Sequence, residues 1–217
     1  MKLRFVEEII LLLLEDEGGR FIRVPSWSIN YALAGAVLMD LALEDRIDTD
    51  LDSLVLLDSS PLGDSLLDPT LAEIAASEPH DTRHWVEHIA ERAEELQEGA
   101  LSRLVDHGIL ERHDERHLWV FRSRRYPAVD GTAEREVKLR IMEVLFSDEI
   151  PDPRDIVIIC LADACGIFGE LLSRRELERA SDRIEQVRKL DLIGRVTTQA
   201  ILDIEMSVAA SLQGHIY

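Results

Sequence analysis

Apolar residues recur at helical spacing through most of the chain. From Arg4 to Asp16 they occupy nearly every face, and Gly18-Gly19 ends the run, which predicts a helix at the centre of the core. Leu33, Val37 and Leu41 then follow the i, i+4, i+8 rule, which predicts a second helix up to about Glu44. Further helices are predicted at residues 71–77, 81–99, 101–107, 132–147, 153–166, 173–190 and 197–212.

Two stretches have the character of β-strands instead. Residues 46–58 contain a short apolar run flanked by acids and by Ser59-Ser60-Pro61, which predicts a small two-stranded feature. The sequences ILERH (109–113) and HLWVF (117–121), joined by DER, predict a hairpin. Because no repeat, low-complexity stretch or long linker divides the chain, we expect one all-α domain over residues 1–217 with a hairpin at 109–125.

The composition is that of a globular protein with a substantial core. The chain has 217 residues, of which 46% are hydrophobic and 31% charged. Its longest purely apolar runs, 9–14 and 156–162, are far shorter than the roughly 20 residues of a transmembrane helix. The start, MKLRFVEEII, has acids where a secretory signal would be apolar, so we expect a cytoplasmic protein. Cys160 and Cys165 match neither a metal nor a redox pattern, so we expect core thiols and no cofactor.

Charge is unevenly distributed along the chain. The net charge of −19 argues against a general polyanion binder. Residues 40–78 contain eleven acids and one base, whereas residues 116–125 contain four arginines and no acid. That basic run surrounds the apolar residues Leu118, Trp119, Val120 and Phe121, and this combination is typical of an anchor in a membrane interface. The alternative, to which we give equal weight, is that Trp119 and Phe121 pack on the protein's own core or on a second copy of the chain.

A histidine motif raises the question of metal chemistry. The stretch HWVEH has the H-x-x-E-H spacing, in which His84 and His88 share one helix face and Glu87 could activate a zinc-bound water. A catalytic zinc site also needs a third protein ligand and an apolar cleft, whereas charged residues surround this motif. We therefore expect a solvated helix face and no metal, with a zinc hydrolase as the less favoured alternative.

A DNA-binding protein is the other alternative. A helix, Gly-Ile-Leu and a basic hairpin also form the end of a winged helix-turn-helix, in which Arg124 and Arg125 would contact phosphates. The recognition helix would then be residues 94–107, which carry Glu94, Glu95 and Glu98. These carboxylates would repel DNA, so nucleic acid is not an expected partner.

Several segments in order resemble the Golgi phosphoprotein 3 family of peripheral membrane proteins that recognise phosphatidylinositol 4-phosphate. They are LRFVEEIILLLLEDEGG at 3–19, GAVLMDLALEDRI at 35–47, GDSLLDPTLAEIAASEP at 63–79, Trp85, LVDHGIL at 104–110 and the hairpin before Tyr126-Pro127. The resemblance implies a compact helical bundle ringed by amphipathic helices, with a projecting hydrophobic hairpin and an adaptor function without catalysis. The arginine-to-lysine ratio of 21 to 3 would suit a GC-rich bacterial genome and suggests a bacterial-type member.

The resemblance also indicates where a lipid headgroup would bind. The family's headgroup tryptophan lies within a residue or two of Trp27, but its helix arginines are replaced here by Ala34, Glu94, Gln97 and Gly99. Carboxylates cannot replace phosphate-binding guanidiniums, because their negative charge repels the phosphate. We therefore expect an anionic phospholipid or phosphoinositide surface to be the partner, with a protein cargo or a second copy of the chain as further partners. The residues expected at the headgroup are Trp27, Arg116, Arg122, Arg124 and Arg125, beside the insertion residues 118–121.

Overall fold

The computed structural model describes residues 2–15, 18–49, 54–117, 121–190 and 195–213. Ten helices and four strands lie in these ranges, and they confirm the prediction of an all-α fold with a β-hairpin. The helices are α1 Phe5–Leu13, α2 Ser26–Leu43, α3 Asp68–Ala76, α4 Thr82–Ala90, α5 Ala93–Asp106, α6 Thr132–Phe146, α7 Pro153–Ala164, α8 Phe168–Leu171, α9 Arg174–Leu190 and α10 Arg195–Gln213. The strands are β1 Ile47–Thr49, β2 Leu54–Leu56, β3 His113–His117 and β4 Phe121–Arg125.

Helices α1 and α2 form the centre of the bundle. Every residue of α1 is buried, including Glu7 and Glu8, because its apolar residues cover all faces. Helix α2 packs against α1, α4, α5, α7 and α10. Trp85 of α4 is 2% exposed, as expected for an inward-facing residue. Cys160 and Cys165 are buried and form no disulfide, which agrees with the prediction of core thiols.

Helix α2 differs from the prediction that no segment of the chain has the length and apolarity of a transmembrane helix. Within the described ranges it is the one helix long and apolar enough to cross a membrane, a property that a search for uninterrupted apolar runs missed. Its buried share of 61%, together with its five helix neighbours, identifies it as the core helix of this bundle. Gly35 allows α2 to pack closely against α7, since a Cβ on Gly35 would lie 2.5 Å from Leu161 Cδ2.

The helix prediction differs from the structure in two ways. The single helix predicted for residues 81–99 is wrong, because the chain breaks at Glu91 and Arg92 and continues as α5 through Gly99. Gly99 instead permits close packing, since a Cβ there would lie 3.1 Å from Leu66 Cδ2. The short helix α8 was not predicted, whereas β1 and β2 do pair as an antiparallel two-stranded sheet in which Ile47 lies opposite Leu56.

Candidate membrane-docking hairpin

The β3–β4 hairpin is fixed to the bundle at its base. Tyr126 is buried, and its N–H donates to the carbonyl of Gly19 at 2.8 Å. The N–H of Glu111 donates to the carbonyl of Pro127, also at 2.8 Å. Gly19 has φ +60°, and a Cβ there would lie 2.1 Å from the backbone nitrogen of Pro127. Only glycine fits this crossing, which attaches the hairpin to the loop between α1 and α2.

The strands pair farther along the chain than the sequence predicted. His113 lies opposite Arg125, and His117 lies opposite Phe121, so DER at 114–116 belongs to β3 and is not a turn. Among the described residues, β3 and β4 have their extensive contacts with each other and with no helix. The ribbon therefore projects from the bundle, and its last described pair is His117 opposite Phe121.

The register concentrates arginine positions on one face of the ribbon. Arg116 lies directly opposite Arg122, and Arg124 lies opposite Asp114. Since strand positions alternate between faces, these four residues share one face. Positions 116 and 122 therefore place two arginines directly opposite each other in the register. Arg125 belongs to the other face and is half-buried.

The predicted insertion residues are only partly covered by the structure. Leu118, Trp119 and Val120 lie outside the described residues, and Phe121 is the first residue of β4. Insertion of these residues into a bilayer therefore stays a prediction.

Trp27 belongs to α2 and not to the hairpin. It is the second residue of α2, is half-buried, and its ring centroid is 6.4 Å from that of Tyr31. Ala34 is fully buried in the core, whereas Glu94 is exposed on α5. Helix α2 has no extensive contact with β3 or β4 in the described ranges, and a headgroup site shared by Trp27 and the hairpin arginines stays a prediction.

The histidines of α4 have partners that do not suit a zinc hydrolase. The His84 and His88 rings are nearly parallel with centroids 6.0 Å apart, and His88 Nε2 lies 3.2 Å from Glu73 Oε2. Glu87, the proposed base, accepts a hydrogen bond from Arg83 Nε at 3.1 Å. In the part of the chain that the structure describes, no group of three or more His, Cys, Asp or Glu residues could hold a metal ion.

Helix α5 does not present a basic surface to DNA. Its one arginine, Arg103, turns inward, with Nη1 2.7 Å from Asp64 Oδ1 and Nε 3.3 Å from Glu7 Oε1. The exposed positions of the helix include Glu94 and Glu98. The outer face is therefore acidic, which disfavours the winged-helix alternative.

A buried ionic cluster surrounds the start of α1, and sequence reasoning missed it. It contains six acids and four arginines from distant parts of the chain, namely Glu7, Glu8, Asp40, Glu44, Asp64, Asp155, Arg4, Arg103, Arg140 and Arg154. Glu8 accepts hydrogen bonds from Arg140 Nη2 at 2.8 Å and from Arg154 Nη2 at 2.9 Å. The available signal was the acid pair Glu7-Glu8 within a helix that is otherwise apolar.

Asp40 and Glu7 are the most enclosed acids of this cluster, each 1% exposed. The Oδ2 atom of Asp40 accepts the backbone N–H of Phe5 at 2.7 Å, and its Oδ1 lies 3.9 Å from Arg4 and 3.8 Å from Arg154. Burial raises the pKa of Asp40 to about 7, against the opposing effects of the Phe5 hydrogen bond and the two arginines. The cluster joins α1 to α2, α5, α6 and α7.

Comparisons with known proteins relate most of the chain to one family. The family model described as Golgi phosphoprotein 3 (GPP34) matches residues 5–204. Vacuolar protein sorting-associated protein 74 of Eremothecium gossypii is 25% identical over 223 residues, which cover 87% of this chain and 67% of that protein. The protein of the same name from Schizosaccharomyces pombe is 25% identical over 224 residues, covering 86% of this chain and 66% of its own length. The chain thus spans about two thirds of these relatives, and neither supports the bacterial-type expectation.

Proposed function

Because the chain belongs to the Golgi phosphoprotein 3 family, we propose that it is a peripheral membrane protein that docks reversibly on anionic membranes through the β3–β4 hairpin. Its ligand there is an anionic phospholipid or phosphoinositide headgroup, and its function is that of an adaptor that holds a protein cargo at the membrane. The names of both relatives associate them with vacuolar protein sorting, which supports an adaptor in preference to an enzyme. Golgi membranes are the location that the family description favours.

One observation carries the proposal, namely the placement of arginines on a ribbon that projects from an acidic protein. Like charges at the paired positions 116 and 122 would destabilise the ribbon, and an anion bound at this face would relieve that repulsion. Asp114 offsets Arg124 alone, so the face keeps an excess of positive charge. A bilayer with anionic headgroups supplies the compensating charge over the whole face.

The expected strength is that of weak, reversible attachment. Insertion of two of the four apolar side chains at 118–121 would contribute roughly 3 to 6 kcal/mol. Each nearby arginine adds about 1 kcal/mol at an anionic surface. The acidic remainder of the chain opposes this little, because charges more than about 8 Å from the surface are largely screened at physiological salt.

Vesicle co-sedimentation tests the proposal with a charge-matched control. The test variant carries Arg122→Gln and Arg124→Gln, and the control carries Arg174→Gln and Arg175→Gln on the exposed start of α9. Both variants change the net charge equally. Vesicles of phosphatidylcholine with phosphatidylserine should bind the test variant about 30-fold more weakly than the unmodified protein, since two arginines contribute about 2 kcal/mol.

Pure phosphatidylcholine vesicles should bind all three proteins poorly. Equal weakening by the hairpin pair and the α9 pair would show a general charge effect and reject the hairpin as the docking site. Sedimentation velocity of the same proteins tests the alternative that the hairpin joins two copies of the chain. Only that alternative predicts a dimer that is lost in the hairpin variant.

A further inference from the structure

A pocket of about 500 Å³ lies between α7, α9 and α10, away from the hairpin. Residues from the end of α9 and the first described turn of α10 form most of its wall. Those that matter for its chemistry are Glu185, Arg188, Lys189, Arg195 and Thr198, with Cys160 of α7 as a further lining residue.

The pocket is positively charged in a chain whose net charge is −19. Lys189 pairs with Glu185 at 2.7 Å, and Arg188 pairs with Asp163 of α7 at 3.3 Å. Three cations against two carboxylates leave a net charge of +1 at the pocket. Arg195 is exposed and has no ion-pair partner among the residues that the structure describes. The excess charge therefore belongs to Arg195.

Helix electrostatics explain two of these cations but not the third. Arg188 and Lys189 lie in the last turn of α9, where positive side chains stabilise the negative end of the helix dipole. Arg195 is the first residue of α10, where the dipole is positive and a cation is unfavourable. An anion in the pocket would compensate both the helix end and the guanidinium.

A buried hydroxyl in the pocket wall points to a ligand independently of charge. Thr198 is 5% exposed, and its Oγ1 has no hydrogen-bond partner in the described part of the chain. Buried hydroxyls are nearly always paired, because burying one unpaired is unfavourable. A ligand oxygen in this pocket would accept that hydrogen bond.

We propose that this pocket binds a phosphate monoester. Its phosphoryl oxygens accept hydrogen bonds from the Arg195 guanidinium and the Thr198 hydroxyl, with Arg188 and Lys189 adding positive charge. A phosphoryl group suits these donors because several acceptor oxygens can meet a planar guanidinium and a hydroxyl together. The volume leaves room for the organic part of the ligand. The site is independent of the hairpin, and its ligand is either a soluble phosphorylated molecule or the headgroup of a lipid such as phosphatidic acid.

Isothermal titration calorimetry with inorganic phosphate and with glycerol phosphate tests the site, with chloride at matched ionic strength as the blank. Arg195→Gln should weaken binding about 10- to 100-fold, because it removes a cation together with its hydrogen bonds to the phosphoryl group, and Thr198→Val about 3- to 10-fold, because it removes one uncharged donor. Arg174→Gln, an exposed arginine at the other end of α9, is the control and should leave binding unchanged. Thr198→Val should also keep the thermal midpoint, because its hydroxyl has no partner to lose.

A vesicle-binding experiment decides whether the phosphate belongs to a lipid or to a soluble molecule. Vesicles that contain phosphatidic acid should bind in a manner sensitive to Thr198→Val if the ligand is a lipid, and insensitive to it if the ligand is soluble. No heat with millimolar phosphate, or equal weakening by Arg174→Gln and Arg195→Gln, would overturn the proposal. The Arg122→Gln, Arg124→Gln hairpin variant should bind soluble phosphate normally, so failure of this site and failure of membrane docking are separable.

Discussion

Replacing Glu8 by glutamine should destabilise the protein far more than replacing an acid on its surface. The Glu8 side chain is 5% exposed and receives hydrogen bonds from Arg140 and Arg154, whose side chains are 33% and 17% exposed. Glutamine keeps the size but removes the charge, which leaves two partly buried guanidiniums with less compensation. Removing one partner of a buried ion pair costs about 3 to 5 kcal/mol.

The structure indicates the lower end of that range for Glu8→Gln. Arg140 keeps Asp155, whose Oδ1 lies 2.5 Å from its Nε. Arg154 keeps the carbonyl of Leu3 at 2.7 Å. We therefore expect a loss of about 3 kcal/mol in the free energy of unfolding. For a chain of this size, that corresponds to a fall of about 6 to 12 °C in the thermal midpoint.

Urea unfolding followed by circular dichroism measures this loss. Glu185→Gln is the matched control, because Glu185 pairs with Lys189 on α9 with side chains 66% and 70% exposed. An exposed pair at this spacing contributes about 0.3 to 0.5 kcal/mol. If Glu8→Gln costs no more than Glu185→Gln, the ionic cluster does not stabilise the fold and the reasoning fails.

Three further predictions follow from other parts of the bundle. Burial raises the pKa of Asp40 to about 7 from its ordinary value of 3.8. Between pH 3.8 and pH 7 the native state therefore keeps a proton that the unfolded state has lost, so the free energy of unfolding should fall as the pH rises through that window. Asp40→Asn should remove that part of the slope when urea midpoints at pH 5 and pH 8 are compared with those of the unmodified protein, and an unchanged slope would contradict it. Gly19→Ala should lower the thermal midpoint much more than Gly18→Ala does. Both glycines have positive φ, where alanine costs about 1 to 2 kcal/mol, but only a Cβ on Gly19 would meet backbone, at 2.1 Å. Equal losses in the two variants would show that the crossing at Gly19 is not tight. Elemental analysis of the purified protein should find zinc well below one equivalent, with no change on His84→Ala and His88→Ala, whereas stoichiometric zinc lost in that variant would restore the hydrolase alternative.

The helical part of the fold was predictable because its apolar spacing is regular. In α2, Leu33, Val37 and Leu41 gave the correct face, and the structure buries all three. The break between α4 and α5 was not predictable by the same reasoning, since Gly99 is the conspicuous helix breaker but lies inside α5, where it packs closely against Leu66. Tertiary contact, and not local propensity, decided what that glycine does.

The candidate sites divide in the same way. The arginine-rich hairpin was visible because four arginines without acids stand out in an acidic chain, but its attachment at Gly19 and Tyr126 joins distant parts of the chain, which no local pattern reveals. The ionic cluster joins Glu8 to Arg140 and Arg154 across more than 130 positions of sequence. Thr198 is likewise distinguished by burial alone, since nothing in its sequence marks a hydroxyl as unpaired.

Fluorescence quenching of Trp119 tests membrane docking through the hairpin most directly. Vesicles of phosphatidylserine and phosphatidylcholine with brominated acyl chains quench a tryptophan that enters the bilayer. Trp119→Phe keeps an apolar ring in the 118–121 segment and should still bind vesicles, while Trp27→Phe serves as the control for the half-buried tryptophan of α2. The account predicts strong quenching in the unmodified protein and in Trp27→Phe, and its loss in Trp119→Phe. Vesicle binding without quenching, or quenching that persists in Trp119→Phe, would contradict it.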